Sequence, residues 1–485
     1  MKKSLLVAAV WLSIASGCLL PQAAGESIPE YYWDKTNNKW SEPYDFFVAS
    51  PSGNNAKLPV EGFIVSEWDN FYAGYDLEGD VNNNIFTIEN ITTQIGTVFG
   101  GYSRDGDAEG NTVTISDESN VDTVFGGYSY NGNAKGNTVT ISDESNVGLV
   151  AGGYSGDGNA EGNVVTITGS SEVGNVYGGL EFDVNGNINN NTVIITDSKI
   201  RGSVYGGKKH QGNGDLKNNT VIIKDSIVAG NVYGGKKDWA AKGDISNNTV
   251  TIAGNTTIGG NVYGGDTVNR YASENTINIL GGNIEGDVIG GSTNDGEAYN
   301  NTVNWKDGTI KGNVYAGTRY GEPYLGDDGV FNVYHNDNSD TKTIAKEKTF
   351  AGFKYVNFYT NNPDIPVLSI DEAPYYIPCL GAAIKNNVAL QPGHSIKLMQ
   401  ANKDFSLDYL IDYYKTNTID AEGYMPIYLS EISSIQNVDN VITLTYQGFD
   451  ESLDRVIFGG EEGTGYVKVA GDNLDNIKAN DQKLN

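Results

Sequence analysis

The stretch Asn111-Thr112-Val113-Thr114-Ile115, followed by Val124-Phe125-Gly126-Gly127, is one copy of a unit that is repeated between residues 62 and 320. Each copy has an N-T-V-T-I segment, a short linker and a V-x-G-G segment. Starting at Val98, successive V-x-G-G segments begin 26, 26, 26, 28, 28, 30, 26 and 26 residues apart. A near-constant period in this range is typical of a stacked solenoid.

The residue pattern inside each copy indicates which kind of solenoid forms. Val113 and Ile115 alternate with Thr112 and Thr114, which is the period of two that a half-buried strand requires. No copy contains a helical pattern, so helical repeats and leucine-rich horseshoes are excluded. The sequence therefore predicts an all-β parallel β-helix of about ten coils, one for each repeat of 26–30 residues.

The segments outside the repeat predict the remaining organisation. Lys2 and Lys3, an apolar run to Leu20 and the small residues Ala23-Ala24-Gly25 indicate a secretory signal peptide. An aromatic-rich segment then suits a lid over the exposed edge of the first coil. The predicted domains are a signal peptide at 1–25, an N-terminal cap at 26–61, β-helix repeats at 62–320, a C-terminal β-rich junction at 321–450 and a polar tail at 451–485.

The two cysteines bear on export and anchoring. Cys18 lies in Ala15-Ser16-Gly17-Cys18, which is similar to a bacterial lipobox, so lipidation of Cys18 is an alternative to cleavage of a signal peptide. Either route leaves Cys379 without a second cysteine, so we predict no disulfide framework. The coils must then be held together by stacking.

The charge balance narrows the class of partner. The chain has 61 acidic and 32 basic residues and a net charge of −29. A surface this negative repels nucleic acid and anionic lipid, so neither is expected as a partner. The same charge keeps a secreted rod in solution.

The asparagine that opens each N-T-V segment recurs at one place in every repeat. Stacked amides can hydrogen-bond from coil to coil and satisfy both the donor and the acceptor of each side chain. We predict such a ladder from Asn111, Asn137, Asn163, Asn191, Asn219, Asn248, Asn275 and Asn301.

The residues that follow the valine of each V-x-G-G segment predict an external aromatic column with lysines beside it. Either the rings cover one another, or they present a flat face to sugar rings. The lysines in adjacent coils would form a positive spot on an acidic rod. The candidate ligand-binding residues are Tyr177, Tyr205, Tyr233, Tyr263, Lys208, Lys209, Lys236 and Lys237.

Three linkers, which begin at Asp105, Asn131 and Asp157, carry alternating oxygen ligands of the kind that calcium prefers. The candidate calcium ligands are Asp105, Asp107, Glu109, Asp157, Asn159 and Glu161. The bidentate glutamate that closes a calcium loop is missing, and Lys135 in the intervening linker would repel a cation. A solvated turn is the alternative, and no other cofactor is predicted.

An enzymatic function is not expected. His210, His335 and His394 are far apart and lack metal-ligand spacing. No nucleophile elbow, phosphate loop or zinc motif occurs. The alternative is a polysaccharide lyase or hydrolase on a β-helix, and a lyase would depend on Lys208, Lys209 and His210.

The alternation of N-T-V-T-I with V-Y-G-G resembles the passenger domains of autotransporter adhesins, the type V secreted surface proteins of Gram-negative bacteria. The segment from Val356 to Met399 is similar to the junction that precedes their membrane barrel, and the resemblance covers residues 62 to 450. It implies a right-handed parallel β-helix displayed at the cell surface or secreted, which binds a host or matrix glycan or protein without catalysis. A purely structural stalk is a further alternative.

The translocator barrel of that family does not occur in these 485 residues. We therefore expect a truncated passenger, a passenger that is served by an outer-membrane β-barrel on another chain, or a relative anchored through Cys18. The repeats identify neither the ligand nor an oligomeric state.

Overall fold

The computed structural model describes residues 30–34, 39–41, 52–58, 69–182, 186–324, 328–374, 376–414, 422–448, 455–459 and 466–470. The predicted signal peptide and Cys18 lie outside the described residues. The described chain is an all-β parallel solenoid of about 12 turns across residues 55–401. This confirms the predicted fold class, and each repeat supplies strands to three faces of the solenoid.

The first face is formed by the N-T-V strands. Its strands pair in parallel, with Val113 opposite Val139 and Ile115 opposite Ile141. The strands are Asn55–Leu58, Ile85–Glu89, Thr112–Ser116, Thr138–Ile141, Val164–Ile167, Thr192–Thr196, Thr220–Lys224, Thr249–Ala253, Thr276–Ile284, Thr302–Ile310, Val330–Tyr334, Tyr355–Thr360, Ile377–Lys385 and Ile411–Tyr414.

The second face contains the V-x-G-G segments, again in parallel register, with Val124 opposite Val150. Its strands are Asn70–Asp76, Ile95–Ser103, Asn120–Ser129, Asn146–Ser155, Glu172–Glu181, Val204–Gly212, Val232–Ala241, Val262–Asp266, Val288–Thr293, Val314–Arg319 and Phe350–Ala351. In three coils the second-face strand is interrupted, and a two-residue strand precedes its longer part. These short strands are Lys199–Ile200, Ile227–Val228 and Thr257–Ile258.

The third face consists of two-residue strands, which also pair in parallel. They are Val81–Asn82, Ala108–Glu109, Ala134–Lys135, Ala160–Glu161, Ile188–Asn189, Leu216–Lys217, Ile245–Ser246, Ala272–Ser273 and Ala298–Tyr299. The first residue of each strand is buried, so all three faces contribute to the interior.

The interior is a set of aliphatic columns. Val113, Ile115 and Val124 are fully buried, and their equivalents in neighbouring coils stack above and below them. Equivalent residues in adjacent parallel strands lie about 4.8 Å apart, so each column is continuous apolar packing. Each buried Val or Ile contributes about 1.5–3 kcal/mol, and the fold is stabilised mainly by this repetition.

The predicted asparagine ladder is confirmed and begins earlier than expected. From Asn84 to Asn301, the side-chain Nδ2 of each asparagine donates to the Oδ1 of the next at 2.8–3.0 Å. The same Oδ1 also accepts the backbone N–H of the preceding asparagine, as in Asn163 to Asn191 at 3.0 Å. These side chains are fully buried, so the ladder secures the corner between the third and first faces.

The parallel stacking continues beyond residue 320, where the prediction ended the repeats. Val330–Tyr334 pairs with the strand before it and with Tyr355–Thr360, which in turn pairs with Ile377–Lys385. The V-x-G-G motif is lost here because the core changes composition. Trp305, Phe331 and Phe358 replace the small aliphatic residues while the strand register is kept.

Other strands cover the two ends. Glu30–Asp34 pairs in parallel with Asn70–Asp76 and in antiparallel fashion with Lys39–Ser41, so a hairpin covers the second face at its start. A separate five-stranded sheet contains Lys342–Thr343, Leu368–Ile370, Ser395–Ala401, Ile432–Val438 and Val441–Tyr446. Its first three strands lie within the range of the solenoid and pair in parallel. Glu322–Pro323 and Tyr424–Pro426 add antiparallel partners to Val314–Arg319 and Ile377–Lys385.

The remaining elements are short. The described helical segments are Leu407–Leu410 and a 3-10 turn at Leu429–Glu431. In the segment predicted to be a polar tail, Arg455–Gly459 and Tyr466–Ala470 form an antiparallel pair. No helix in the described ranges has the length and hydrophobicity to cross a bilayer.

Candidate functional site

Two aromatic columns run along the outside of the second face. One runs from Tyr72 to Phe125 and, after an interruption at Ala151, from Tyr177 to Tyr263. The other contains Tyr75, Tyr102, Tyr128 and Tyr154. Rings of the two columns meet edge to face, as Phe99 and Tyr102 do at 5.5 Å. Stacked and edge-to-face pairs of this kind stabilise beyond their buried area.

The tyrosines predicted to bind ligand form the far part of the first column. Ring centroids from Tyr177 to Tyr205, Tyr233 and Tyr263 are 4.9–5.0 Å apart, and the ring planes are parallel within 6°. Tyr205 and Tyr233 are therefore covered on both faces, and only 5–9% of the Tyr177, Tyr205 and Tyr233 surface is exposed. Of the two interpretations of the column, mutual burial is the one that the geometry supports.

The four lysines separate into two environments. The ammonium of Lys208 lies 5.1 Å from the Tyr205 ring centre and that of Lys236 lies 4.4 Å from the Tyr233 ring centre, both on the outside. Lys209 is 0% exposed and Lys237 is 1% exposed, so neither contributes to a positive surface spot, which corrects that prediction. A strict period of two would have buried Lys208, but the strand bends at the Gly206–Gly207 pair and the inward position moves by one residue.

The ends of the second-face strands create an open cleft. Val204–Gly212 and Val232–Ala241 are long, but the next strand, Val262–Asp266, has only five residues and pairs with the preceding strand only as far as Lys236. The two long strands therefore project past the short one and leave a step. The cleft at this step has a volume of about 490 Å³ and is lined by His210, Gln211, Lys236, Lys237, Asp238, Asp266 and Val268.

Charged and polar side chains pair between coils in this cleft. Lys236 Nζ lies 2.9 Å from Asp266 Oδ2, and His210 Nδ1 lies 2.7 Å from Asp238 Oδ2. Burial opposes the charge of Lys236, but Asp266 outweighs it and raises the pKa of Lys236 above its usual value. Burial also opposes the charge of Asp238, yet its hydrogen bond with His210 and the charge of Lys208 lower the pKa of Asp238. The cleft thus presents both charge signs and fixed hydrogen-bonding groups.

Repeat alignment would have revealed the residues that the sequence prediction missed. Asp266 stands at the same offset from its valine as Lys208 and Lys236, and Asp238 stands at the same offset as His210. The change from lysine to aspartate in the next coil is the signal of an ion pair between coils. The prediction omitted it because it followed only the aromatic and basic residues.

The buried lysines lie in a column of inward side chains at the corner after the glycine pair. In register, the column contains Ser103, Ser129, Ser155, Glu181, Lys209 and Lys237, and Thr267 and Thr293 follow at the same offset. Lys209 Nζ contacts the carboxylate of Glu181, which is also fully buried, and Lys237 Nζ donates to the backbone O of Asp244 at 3.0 Å. Burial raises the pKa of Glu181 to about 7.

Lys237 makes the stability depend on pH. Burial lowers the pKa of Lys237 from 10.5 to about 7. The charge of Asp215 acts to raise this pKa, and the charge of Lys209 acts to lower it further. Between pH 7 and 10.5 the unfolded chain therefore binds a proton that the folded chain lacks, and stability rises with pH there. We expect a gain of up to about 1.4 kcal/mol per pH unit from this group. Denaturant midpoints of the unmodified chain and of Lys237→Met, compared across this pH range, measure the gain. If the midpoints of the two proteins changed equally with pH, the assignment to Lys237 would be contradicted.

The six predicted calcium ligands have partners within the protein or lie in turns between the coils. Asp107 Oδ1 accepts the backbone N–H of Asn133 at 2.8 Å, and Asn159 Oδ1 accepts that of Asn187 at 2.7 Å, so both belong to a second ladder between coils. Asp105 forms an ion pair with Arg104, and the Glu161 carboxylate accepts a hydrogen bond from Asn190. The backbone N–H of Glu109 donates to the side chain of Asn82. The backbone N–H of Asp157 donates to the backbone O of Tyr130. Within the described ranges, no group of three or more His, Cys, Asp or Glu side chains could hold a metal ion.

The histidines are as separate in the structure as in the sequence. His335 is buried, with its ring nitrogens 3.1 Å from Thr360 Oγ1 and 3.2 Å from Pro366 O, and burial lowers its pKa. His394 pairs with Asp364 at 3.5 Å. Of the three, His210 is the one that lines the cleft.

Comparison with known protein families, curated proteins and solved structures finds no match for the chain.

Proposed function

We propose that the protein is a non-enzymatic, adhesin-like passenger, secreted or displayed on the surface of a Gram-negative bacterium, which binds glycans in the cleft beside Lys236. The observation that carries the proposal is the step where Val232–Ala241 projects past Val262–Asp266. At this step Lys236 and Asp266 form an ion pair between coils, beside the stacked rings of Tyr233 and Tyr263. A barrel on another chain would export such a passenger, and lipidation at Cys18 would anchor it.

The chemistry of the cleft suits a hydroxyl-rich ligand. Lys236 and His210 supply donors, while Asp266 and Asp238 supply acceptors, and these contacts between coils hold all four in place before a ligand arrives. Preorganised polar groups limit the entropy lost on binding. The tyrosine rings contribute by supporting the lysines and not by stacking on sugars, because their faces are covered.

Binding of the purified chain to a glycan array and to immobilised matrix proteins tests the proposal. In the double variant Lys236→Ala/Asp266→Ala, glycan affinity is expected to fall at least about tenfold, or about 1.4 kcal/mol. Removing both partners avoids leaving one half-buried charge unpaired. The matched control is Lys311→Ala/Glu285→Ala, which removes an ion pair of 2.7 Å between coils outside the cleft.

The outcomes separate the alternatives. Glycan binding that is unchanged in the cleft variant would contradict the assignment of the site, and binding to matrix proteins alone would replace the glycan with a protein ligand. An empty screen with the unmodified chain would favour a structural stalk. Variants that remove Tyr205 are less informative because its ring is part of the packing.

A polysaccharide-active enzyme is the second candidate, and one observation favours it. Asp238 holds His210 through Nδ1 at 2.7 Å, which is how a carboxylate orients a histidine for proton transfer. The cleft would then bind an acidic or neutral polymer and His210 would act as its base, with Lys208 3.9 Å from Asp238. Product formation from polysaccharides that is lost in His210→Ala would establish this function and overturn the non-enzymatic one.

A further inference from the structure

In the corner column, the charged residues Glu181, Lys209 and Lys237 replace the hydroxyl in three consecutive coils. In the neighbouring coils, a serine or threonine hydroxyl does two things at this corner. Ser155 Oγ accepts the N–H of Gly158 at 2.8 Å and donates to the O of Gly132, in the previous coil, at 2.8 Å. Ser103, Ser129 and Thr293 make the same pair of bonds.

Glu181 and Lys209 divide these two tasks. Glu181 Oε1 accepts the N–H of Gly186, in its own turn, at 3.0 Å. Lys209 Nζ donates to the O of the same Gly186, now in the previous coil, at 2.9 Å. The fold does not require charge here, since a hydroxyl meets both needs elsewhere. Burying an ion pair costs several kcal/mol per ion in desolvation, so the substitution calls for a chemical reason.

We propose that Glu181 and Lys209 condense to form an intramolecular isopeptide bond that joins two neighbouring coils. Both side chains are 0% exposed and the amine contacts the carboxyl group. The bond would lie next to the cleft and would fasten one coil to the next covalently. A disulfide does not serve this purpose among the described residues, where Cys379 is the one cysteine and is buried.

The groups needed for the reaction are present. A proton passes from the ammonium of Lys209 to the carboxylate of Glu181, and the neutral amine attacks the carboxyl carbon. The N–C bond forms, the C–OH bond breaks, and the hydroxyl leaves as water with one proton from the nitrogen. The N–H of Gly186 points at Glu181 Oε1 and stabilises the negative charge that develops there. No oxidant or cofactor is required.

Burial favours the protonated, neutral form of Glu181 on which this reaction depends. Burial raises the pKa of Glu181 to about 7, so its carboxyl group carries a proton in part of the population at neutral pH. Lys237, in register with Lys209 in the next coil, has a pKa lowered to about 7 by burial. Its amine can therefore take up and return a proton near neutral pH, and we assign it an assisting role.

Peptide mapping of the purified full chain tests the bond. Trypsin cuts after lysine and arginine, so an unlinked chain yields residues 136–199 as one peptide and is cut after Lys209. In the linked chain, cleavage after Lys209 fails, and a branched peptide joins 136–199 to 209–217 with a mass lower by one water than the sum of the two. After full denaturation, recovery of peptide 136–199 at its sequence mass together with cleavage after Lys209 would overturn the proposal.

Three variants complete the test. Glu181→Ser restores cleavage after Lys209, and Glu181→Ser/Lys209→Ser is the matched control because it recreates the serine column of the preceding coils. Its β-sheet circular dichroism is expected to be unchanged. In Lys237→Met the branched fraction is expected to fall severalfold without disappearing, and an unchanged fraction would remove the assisting role of Lys237 alone. The tryptic peptide map of the unmodified chain shows whether the bond exists, even if a variant does not fold.

Discussion

Gly206→Val is expected to lower the free energy of unfolding by at least about 4 kcal/mol, the size that marks severe backbone or core disruption. A Cβ at Gly206 would lie 2.5 Å from the backbone O of Gly234 in the next coil and 3.0 Å from the Cβ of Asn219. Neither atom can move without displacing its coil. The valine would therefore separate two coils at the point where the second face bends.

The need for glycine here comes from close approach and not from a left-handed backbone. The first glycine of each V-x-G-G pair faces the carbonyl of its counterpart in the next coil, with 2.4–2.7 Å to an added Cβ throughout the run. Alanine takes this place at Ala73 and Ala316, which lie in the first and last coils of the run. In the coils between them this position is always glycine.

Guanidinium midpoints and limited proteolysis measure the effect of Gly206→Val. Because each coil of a solenoid contacts only its neighbours, new cleavage sites are expected close to residue 206 and not along the whole rod. Ala316→Gly is the control, since removing a Cβ at the end of the column is expected to cost no more than about 1 kcal/mol. A Gly206→Val protein with the midpoint of the unmodified chain would contradict the close-approach argument.

The repeat made most of the fold predictable. Period, alternation and the recurrent asparagine all act locally and identically in each coil, so the columns through Val113 and Ile115 and the ladder through Asn111 followed from one copy. The extent of the solenoid did not follow, because Phe331 and Phe358 continue the stacking with a different core composition.

The candidate site was less accessible to sequence reasoning. Its cleft depends on a difference in strand length between Val232–Ala241 and Val262–Asp266, which no single repeat contains. The orientation of Lys209 depends on the bend at the glycine pair, which shifts the alternation by one residue. The difference in strand length and the orientation of Lys209 are both departures from the repeat. A consensus sequence of the copies therefore does not contain them.

Asn191→Ala is expected to destabilise the protein by about 3–5 kcal/mol, the cost of leaving two or more buried polar groups unpaired. Asn191 Nδ2 donates to Asn219 Oδ1 and to the O of Ala160, both at 2.9 Å. Its Oδ1 accepts the side-chain Nδ2 and the backbone N–H of Asn163, at 2.9 and 3.0 Å. Alanine removes all four bonds and leaves the N–H of Asn163 and the O of Ala160 buried without them.

Thr192→Ala tests whether the loss belongs to the ladder. Thr192 is the next residue of the same coil, but its side chain is half-buried on the outside of the first face, and we expect a change within about 1 kcal/mol for it. Chemical denaturation of both variants gives the comparison, and hydrogen exchange at the amide of Asn163 reports the broken rung directly. Equal midpoints for the two variants, with protection at Asn163 retained, would mean that the ladder accompanies the fold without stabilising it. We expect a large loss of stability for Asn191→Ala and a small one for Thr192→Ala. This result would mean that the buried asparagine side chain stabilises each coil as much as its aliphatic core does.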